Sequence, residues 1–90
     1  RDPLIRLLNN IKLRALSGND PERAAKIMDR MLLIAPKRLP LLQEAGAFYA
    51  SIGNLRRAAT VLEDFLAQST NEARRHEAAA LLHKIRSRLN

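Results

Sequence analysis

Laid on itself at an offset of 34 residues, the chain matches itself along most of its first two-thirds. Leu7 falls on Leu41, Leu8 on Leu42, Ile11 on Ala45 and Ser17 on Ser51. Arg23-Ala24-Ala25 falls on Arg57-Ala58-Ala59, Met28 on Leu62, Met31 on Phe65 and Leu32 on Leu66. A period of this length holds one pair of short helices. Such a pair cannot bury its apolar face alone and must stack on its neighbour, so the repeat points to an α-solenoid.

The punctuation agrees. Asp2-Pro3 and Asp20-Pro21-Glu22 each pair an N-cap acceptor with a ring suited to the first helical turn. Helical stripes follow: Leu4, Leu7, Leu8, Ile11, Ala15 and Leu16, then Ala24, Ile27, Met28, Met31, Leu32 and Ile34. Ser17-Gly18-Asn19 breaks the first. Ala35-Pro36 ends the second, because a residue before proline resists the helical region. Pro40 opens a third helix with Leu41, Leu42, Ala45, Phe48, Tyr49 and Ile52 inward, closed by Gly53-Asn54. A fourth turns Leu55, Ala58, Ala59, Leu62, Phe65 and Leu66 inward, and Ser69-Thr70-Asn71 interrupts it. A last helix starts at Glu72 and carries Ala78, Leu81, Leu82, Ile85 and Leu89 on one face. Turns this short force neighbouring helices antiparallel.

Composition narrows what such a fold can do. Of 90 residues 47% are apolar and only 3% aromatic, so the core is aliphatic. The absence of cysteine removes disulfides, thiolate zinc sites and cysteine nucleophiles together. No apolar stretch approaches a membrane span, and the N-terminus carries no signal-peptide pattern. Arg1 in place of a Met reads as a start inside a longer protein. Sixteen Lys and Arg against nine Asp and Glu give a net charge of +7. That excess is a solvated surface or an attraction for an acidic partner.

The second unit resembles the tetratricopeptide repeat (TPR). Leu42, Ala45, Gly46 and Tyr49, followed by Gly53, Ala58, Leu62 and Phe65, stand at the positions of the family signature. Gly46 and Ala58 let the helices approach, Tyr49 fills the gap between them, and Gly53 makes the turn. The first unit matches at Leu8, Ile11, Ala24, Met28, Met31 and Pro36. It departs at Lys12, which replaces a small residue, at Ala15, which replaces a large one, and at Asn19, which stands where the turn glycine belongs. Thr70 takes the place of the closing proline in the second unit. The expected architecture is all-α: a short right-handed solenoid forming one domain over 1–90, with TPR units at 3–37 and 38–70 and a capping helix at 71–89. The first helix has no such cover, so Leu4, Ile5 and Leu13 are expected to be partly exposed and leave room for a homodimer.

The run Pro3-Leu4-Ile5-Arg6-Leu7-Leu8-Asn9-Asn10-Ile11-Lys12 resembles the opening of the C-terminal TPR segment of SirB-type bacterial proteins, and the likeness continues through Asp20, Glu22-Arg23-Ala24, Pro36, Gly53 and Arg57-Ala58-Ala59. In that family a transglutaminase-like domain precedes the repeats. The resemblance implies a bacterial, cytoplasmic, non-catalytic scaffold within a larger regulatory protein. Its partner is then a protein, a peptide or the N-terminal domain of its own chain.

In a TPR the first helix of each unit lines the concave face. The resemblance therefore assigns partner contact to Arg6, Asn9, Asn10, Leu13 and Ser17, and to Gln43, Glu44, Ala47 and Ser51. Paired amides can hold an extended peptide backbone; equally, Asn9 and Asn10 can serve as inter-helix hydrogen bonds. The carboxylate clamp of chaperone-type TPRs is rejected, since Asn9 and Leu13 replace its Lys and Asn in the first unit and Glu44 replaces its Asn in the second. The alternative function is a basic adaptor that grips nucleic acid through Arg56, Arg57, Arg74, Arg75, Lys84, Arg86 and Arg88. It is disfavoured because Phe48, Tyr49 and Phe65 all sit at core positions and none remains for base stacking. On the last helix, Arg74, Arg75, Lys84, Arg86 and Arg88 are expected to face water, opposite the capping stripe.

No residue supports an enzyme, a cofactor or a metal. His76 and His83 lie seven apart on one helix, whereas helical metal pairs sit three or four apart. Glu63 and Asp64 are adjacent and point in different directions. Met28 and Met31 read as core filler.

Overall fold

The computed structural model describes residues 3–89. They form α1 (Pro3–Ser17), α2 (Pro21–Ile34), α3 (Leu39–Ser51), α4 (Leu55–Gln68) and α5 (Glu72–Leu89), with no strand among the described residues. One compact unit contains α1 packed on α2. A second contains α3, α4 and α5, in which α4 packs on both α3 and α5, and α3 touches α5 more lightly.

The 34-residue period reappears as backbone geometry. Asn19 and Gly53 both take positive φ, 58° and 82°. One residue later the chain makes the same return bond in each unit: Asp20 N donates to Ala15 O at 2.8 Å, and Asn54 N to Tyr49 O at 2.9 Å. These six-to-one bonds terminate α1 and α3 in the same way. The next helix is then capped by the residue that closed the last. Asp20 Oδ1 accepts from Arg23 N at 3.2 Å, and Asn54 Oδ1 accepts from Arg57 N at 3.3 Å. Asn19 can stand where the second unit has glycine because Asn tolerates the left-handed region better than other residues with a Cβ. Asn71 repeats the cap for α5, accepting from Arg74 N at 2.9 Å. The expected cap at Asp2 lies outside the described residues.

In the first unit the buried line of α1 differs from the expected stripe. Ile5, Lys12 and Ala15 are buried and Leu8 and Ile11 half-buried, whereas Leu4, Leu7 and Leu16 are exposed. Ile5, Leu8, Lys12 and Ala15 follow one another at steps of three and four, so they share a face. The leucines at 4 and 7 sit about 100° round from their neighbours at 5 and 8. Apolar residues on two adjacent faces leave the rotation of α1 to packing. Leu4 and Leu13 are half exposed, as expected, but Ile5 is not. Lys12 retains only 1% of its accessible surface. Every buried side-chain nitrogen and oxygen among the described residues has a hydrogen-bond partner. On α2, Ala24, Ile27, Met28, Met31 and Leu32 form the core, while Ile34 emerges at the end of the helix.

The second unit is built on Leu41, Leu42, Ala45, Tyr49, Ala58, Val61, Leu62, Phe65, Ala78, Leu82 and Ile85. Phe48 is only half-buried, and its ring lies 5.7 Å from that of Tyr49 at a tilt of 56°. The Arg57 guanidinium sits over the other ring of the pair, 5.5 Å from the Tyr49 centroid. Ile52, just past the end of α3, and Leu89, the last residue of α5, are exposed.

The α4–α5 corner departs most from expectation. Arg75 does not face water with the rest of the basic residues of α5. It is half-buried, and its Nη1 donates to Leu66 O and to Ser69 O, the latter at 2.9 Å. Ser69 is buried, and its Oγ accepts from Asn71 N at 3.3 Å. The corner lacks the family's proline. An arginine holds the terminal carbonyls of α4 instead, where a cation also complements the helix dipole.

Candidate functional site

On the surface of the second unit a groove of about 350 Å³ runs between α3 and α5. Ala47, Ala50 and Ser51 form the α3 wall, Leu55 contributes from the first turn of α4, and Leu81, Lys84, Ile85 and Arg88 come from α5. The small residues of α3 open this space. Positions 47, 50 and 51 fall on one helical face, and none extends beyond a methyl or hydroxymethyl group. The Ser51 hydroxyl donates to Phe48 O at 2.6 Å, which turns the wall's single polar side chain back onto its own helix. The floor is Leu55, Leu81 and Ile85. Two cations mark the rim: Lys84 and Arg88 lie one turn apart on α5, about 6 Å along the axis. No carboxylate lines the groove.

The residues assigned to partner contact from the sequence fall into different situations. Ala47 lines the groove. Gln43, one turn earlier, is engaged by α5: its Nε2 donates to Glu77 Oε1 at 3.2 Å, and its Oε1 accepts from Arg74 Nη1 at 3.0 Å. That side chain staples α3 to α5. Glu44 is exposed, and so are Arg6, Asn10 and Leu13 on α1; Asn9 is half-buried. By sequence alone Leu81 and Ile85 belong to the capping stripe and Lys84 and Arg88 to the basic surface. The signal that pairs them with Ala47 was the helical spacing of 81, 84, 85 and 88, which becomes informative only once α5 is known to lie beside α3.

The seven basic residues read as one face differ in what they touch. Arg57 lies over Tyr49, Arg74 binds Gln43, Arg75 binds the end of α4, and Arg86 forms an ion pair with Glu63. Arg56, Arg74, Lys84, Arg86 and Arg88 are exposed to solvent, whereas Arg57 and Arg75 are half-buried. Two further hollows mix charges. One of about 360 Å³ at the α1–α2 turn is bounded by Ile11, Arg14, Ala15, Gly18, Asp20 and Arg23. A shallow one of about 650 Å³ beside the α4–α5 corner is bounded by Leu66, Glu72, Ala73, Arg75, His76 and Ala79. Among the described residues no three His, Cys, Asp or Glu side chains gather as a metal site. No helix is long and apolar enough to cross a membrane.

Comparison with known proteins agrees with the repeat geometry. A family model described as tetratricopeptide repeat matches residues 11–90. No curated protein and no solved structure gives a significant match. TPR repeats generally mediate contacts between proteins and are generally non-catalytic. The shared turns at Asn19 and Gly53, the paired caps at Asp20 and Asn54, and the family match across nearly the whole chain together identify this protein as a member of the tetratricopeptide repeat family.

Proposed function

We propose that this chain is a non-catalytic docking module that binds another protein through exposed helix faces, and that the α3–α5 groove of its second unit is the principal contact. The observation that carries the reading is the groove itself: an apolar floor beside two exposed cations, on a helix pair already fastened by Gln43, Glu77 and Arg74. A surface held rigid before binding loses less entropy on association. Ala47 belongs to this contact directly. Arg6, Asn9, Asn10 and Leu13 form a separate candidate contact on α1 of the first unit, and Glu44 lies exposed on α3 outside the groove lining. Gln43 acts by positioning α5.

The resemblance to SirB-type proteins supports a setting in a larger bacterial regulatory protein of the cytoplasm, with a separate protein, a peptide or the chain's own N-terminal domain as partner. The half-exposed Leu4 and Leu13 support a homodimer through α1 as a variant of the same reading. Nucleic-acid binding is disfavoured, because two of the seven basic side chains it needs, Arg57 and Arg75, are half-buried on internal contacts and a third, Arg86, is paired with Glu63.

The test is affinity capture from a bacterial lysate, with and without nuclease, at low and at moderate salt. Retention of a partner through both treatments is the expected result. Loss on nuclease treatment would transfer the function to nucleic acid.

A further inference from the structure

The groove has a chemistry that narrows its ligand. Its walls offer methyl and methylene groups, and the Ser51 hydroxyl is turned away. Its polar character comes from Lys84 and Arg88. Of the neighbouring cations on α5, Arg86 is paired with Glu63, and Arg74 keeps its charge but is hydrogen-bonded to Gln43. Glu77, the nearest acid in sequence on α5, is held by the Gln43 amide and does not line the groove. The rim charge is therefore uncompensated within the groove. It lies in a unit whose residues 37–90 hold nine Lys and Arg against five Asp and Glu. An apolar slot with a one-signed rim attracts the opposite sign and rejects its own.

We propose that the groove selects acidic protein segments, seating an aliphatic side chain on Leu55, Leu81 and Ile85 while Asp or Glu carboxylates pair with Lys84 and Arg88. The proposal rests on the reading of the chain as a protein-docking module. The geometry sets the ligand's pattern. Lys84 and Arg88 are separated by about 6 Å along α5, which matches carboxylates one helical turn apart or two residues apart on an extended strand. Because Ile85 lies between the two cations in sequence and beneath them in the fold, the apolar side chain must sit next to the carboxylates rather than remote from them. Ala47 and Ala50 leave room for a leucine-sized group.

The experiment is selection of a random dodecapeptide display library on the full chain, followed by fluorescence anisotropy of the enriched peptides. Four proteins are compared: wild type, Lys84→Glu with Arg88→Glu, Ala47→Phe, and a charge control, Lys26→Glu with Arg30→Glu, an exposed pair of the same spacing on α2. Circular dichroism verifies that each is folded. The expected result is enrichment of Asp or Glu next to Leu, Ile or Val, with affinity lost at least about tenfold in the rim variant and in Ala47→Phe. The control should change affinity by less than about threefold. Equal losses in rim variant and control would overturn the proposal in favour of general charge attraction. Neutral peptides that bind the rim variant undiminished but are lost in Ala47→Phe would preserve groove docking and remove the acidic class. Absence of any enriched sequence would also overturn it. So would a wild-type dimer that Ala47→Phe returns to monomer, which would assign the groove to a second copy.

Discussion

Gly46 on α3 faces Leu62 on α4 so closely that a Cβ placed on the glycine would lie 2.6 Å from the leucine Cγ. Leu62 is 1% exposed, so its side chain has no open solvent to retreat into. The missing side chain sets the distance between the two helices. It also explains why a glycine survives in a helix interior, where it costs about 1 kcal/mol relative to alanine.

Gly46→Ala is therefore expected to destabilise the chain by about 1–3 kcal/mol despite its better helix propensity. Thermal or urea unfolding measures it. Leu62→Ala alone should cost about 2–5 kcal/mol. The double variant should cost clearly less than the sum of the two, because the new methyl fills part of the cavity. Strict additivity would mean that the two positions do not touch.

The paired turns make opposite predictions for related substitutions. Gly53→Ala forces a Cβ into the left-handed region at φ 82° and should cost about 1–2 kcal/mol, although the surrounding space is open. Asn19→Gly relieves the same strain at φ 58° but adds chain entropy to the unfolded state, so it should stay within about 0.5 kcal/mol of wild type. Denaturant midpoints of the two variants, compared at constant slope, check the pair.

Arg75→Ala strips the hydrogen bonds from Leu66 O and Ser69 O at the end of α4. A loss of about 1–3 kcal/mol is expected, and Arg75→Lys should recover only part of it, since an ammonium lacks the guanidinium's reach and planar fork. Amide hydrogen exchange offers the local readout: protection should fall first around Ser69 and Asn71.

Arg86→Ala offers the contrast. Its ion pair with Glu63 joins side chains that are 58% and 51% exposed. Solvent screening holds the expected cost to about 0–1 kcal/mol, reduced further by salt. An Arg86 variant as damaging as the Arg75 variant would contradict the assignment of structural weight to Arg75.

Much of the architecture was legible before any coordinates. The offset that places Arg23-Ala24-Ala25 on Arg57-Ala58-Ala59 also places Asp20 on Asn54 and Asn19 on Gly53, and the structure realises those pairs as identical caps and turns. Caps, turns and helix stops depend on residues within five positions of one another, so a linear reading reaches them. The close approach at Gly46 was legible too, because only a glycine at that register explains itself.

The rotation of α1 and the fate of the basic residues lay beyond that reach. Leu4, Ile5, Leu7 and Leu8 offer two apolar faces of similar weight, and only packing chose the one that contains Ile5 and Lys12. Arg74, Arg75 and Arg86 are indistinguishable from Lys84 and Arg88 as charges on one helix. They separate because Gln43, the end of α4 and Glu63 lie within reach of the first three and not of the others. The groove has the same origin, since Ala47 on α3 and Ile85 on α5 become neighbours only when the two helices are laid side by side. Short-range chemistry is written along the chain, whereas side-chain partnerships between helices depend on distances that burial of the core imposes.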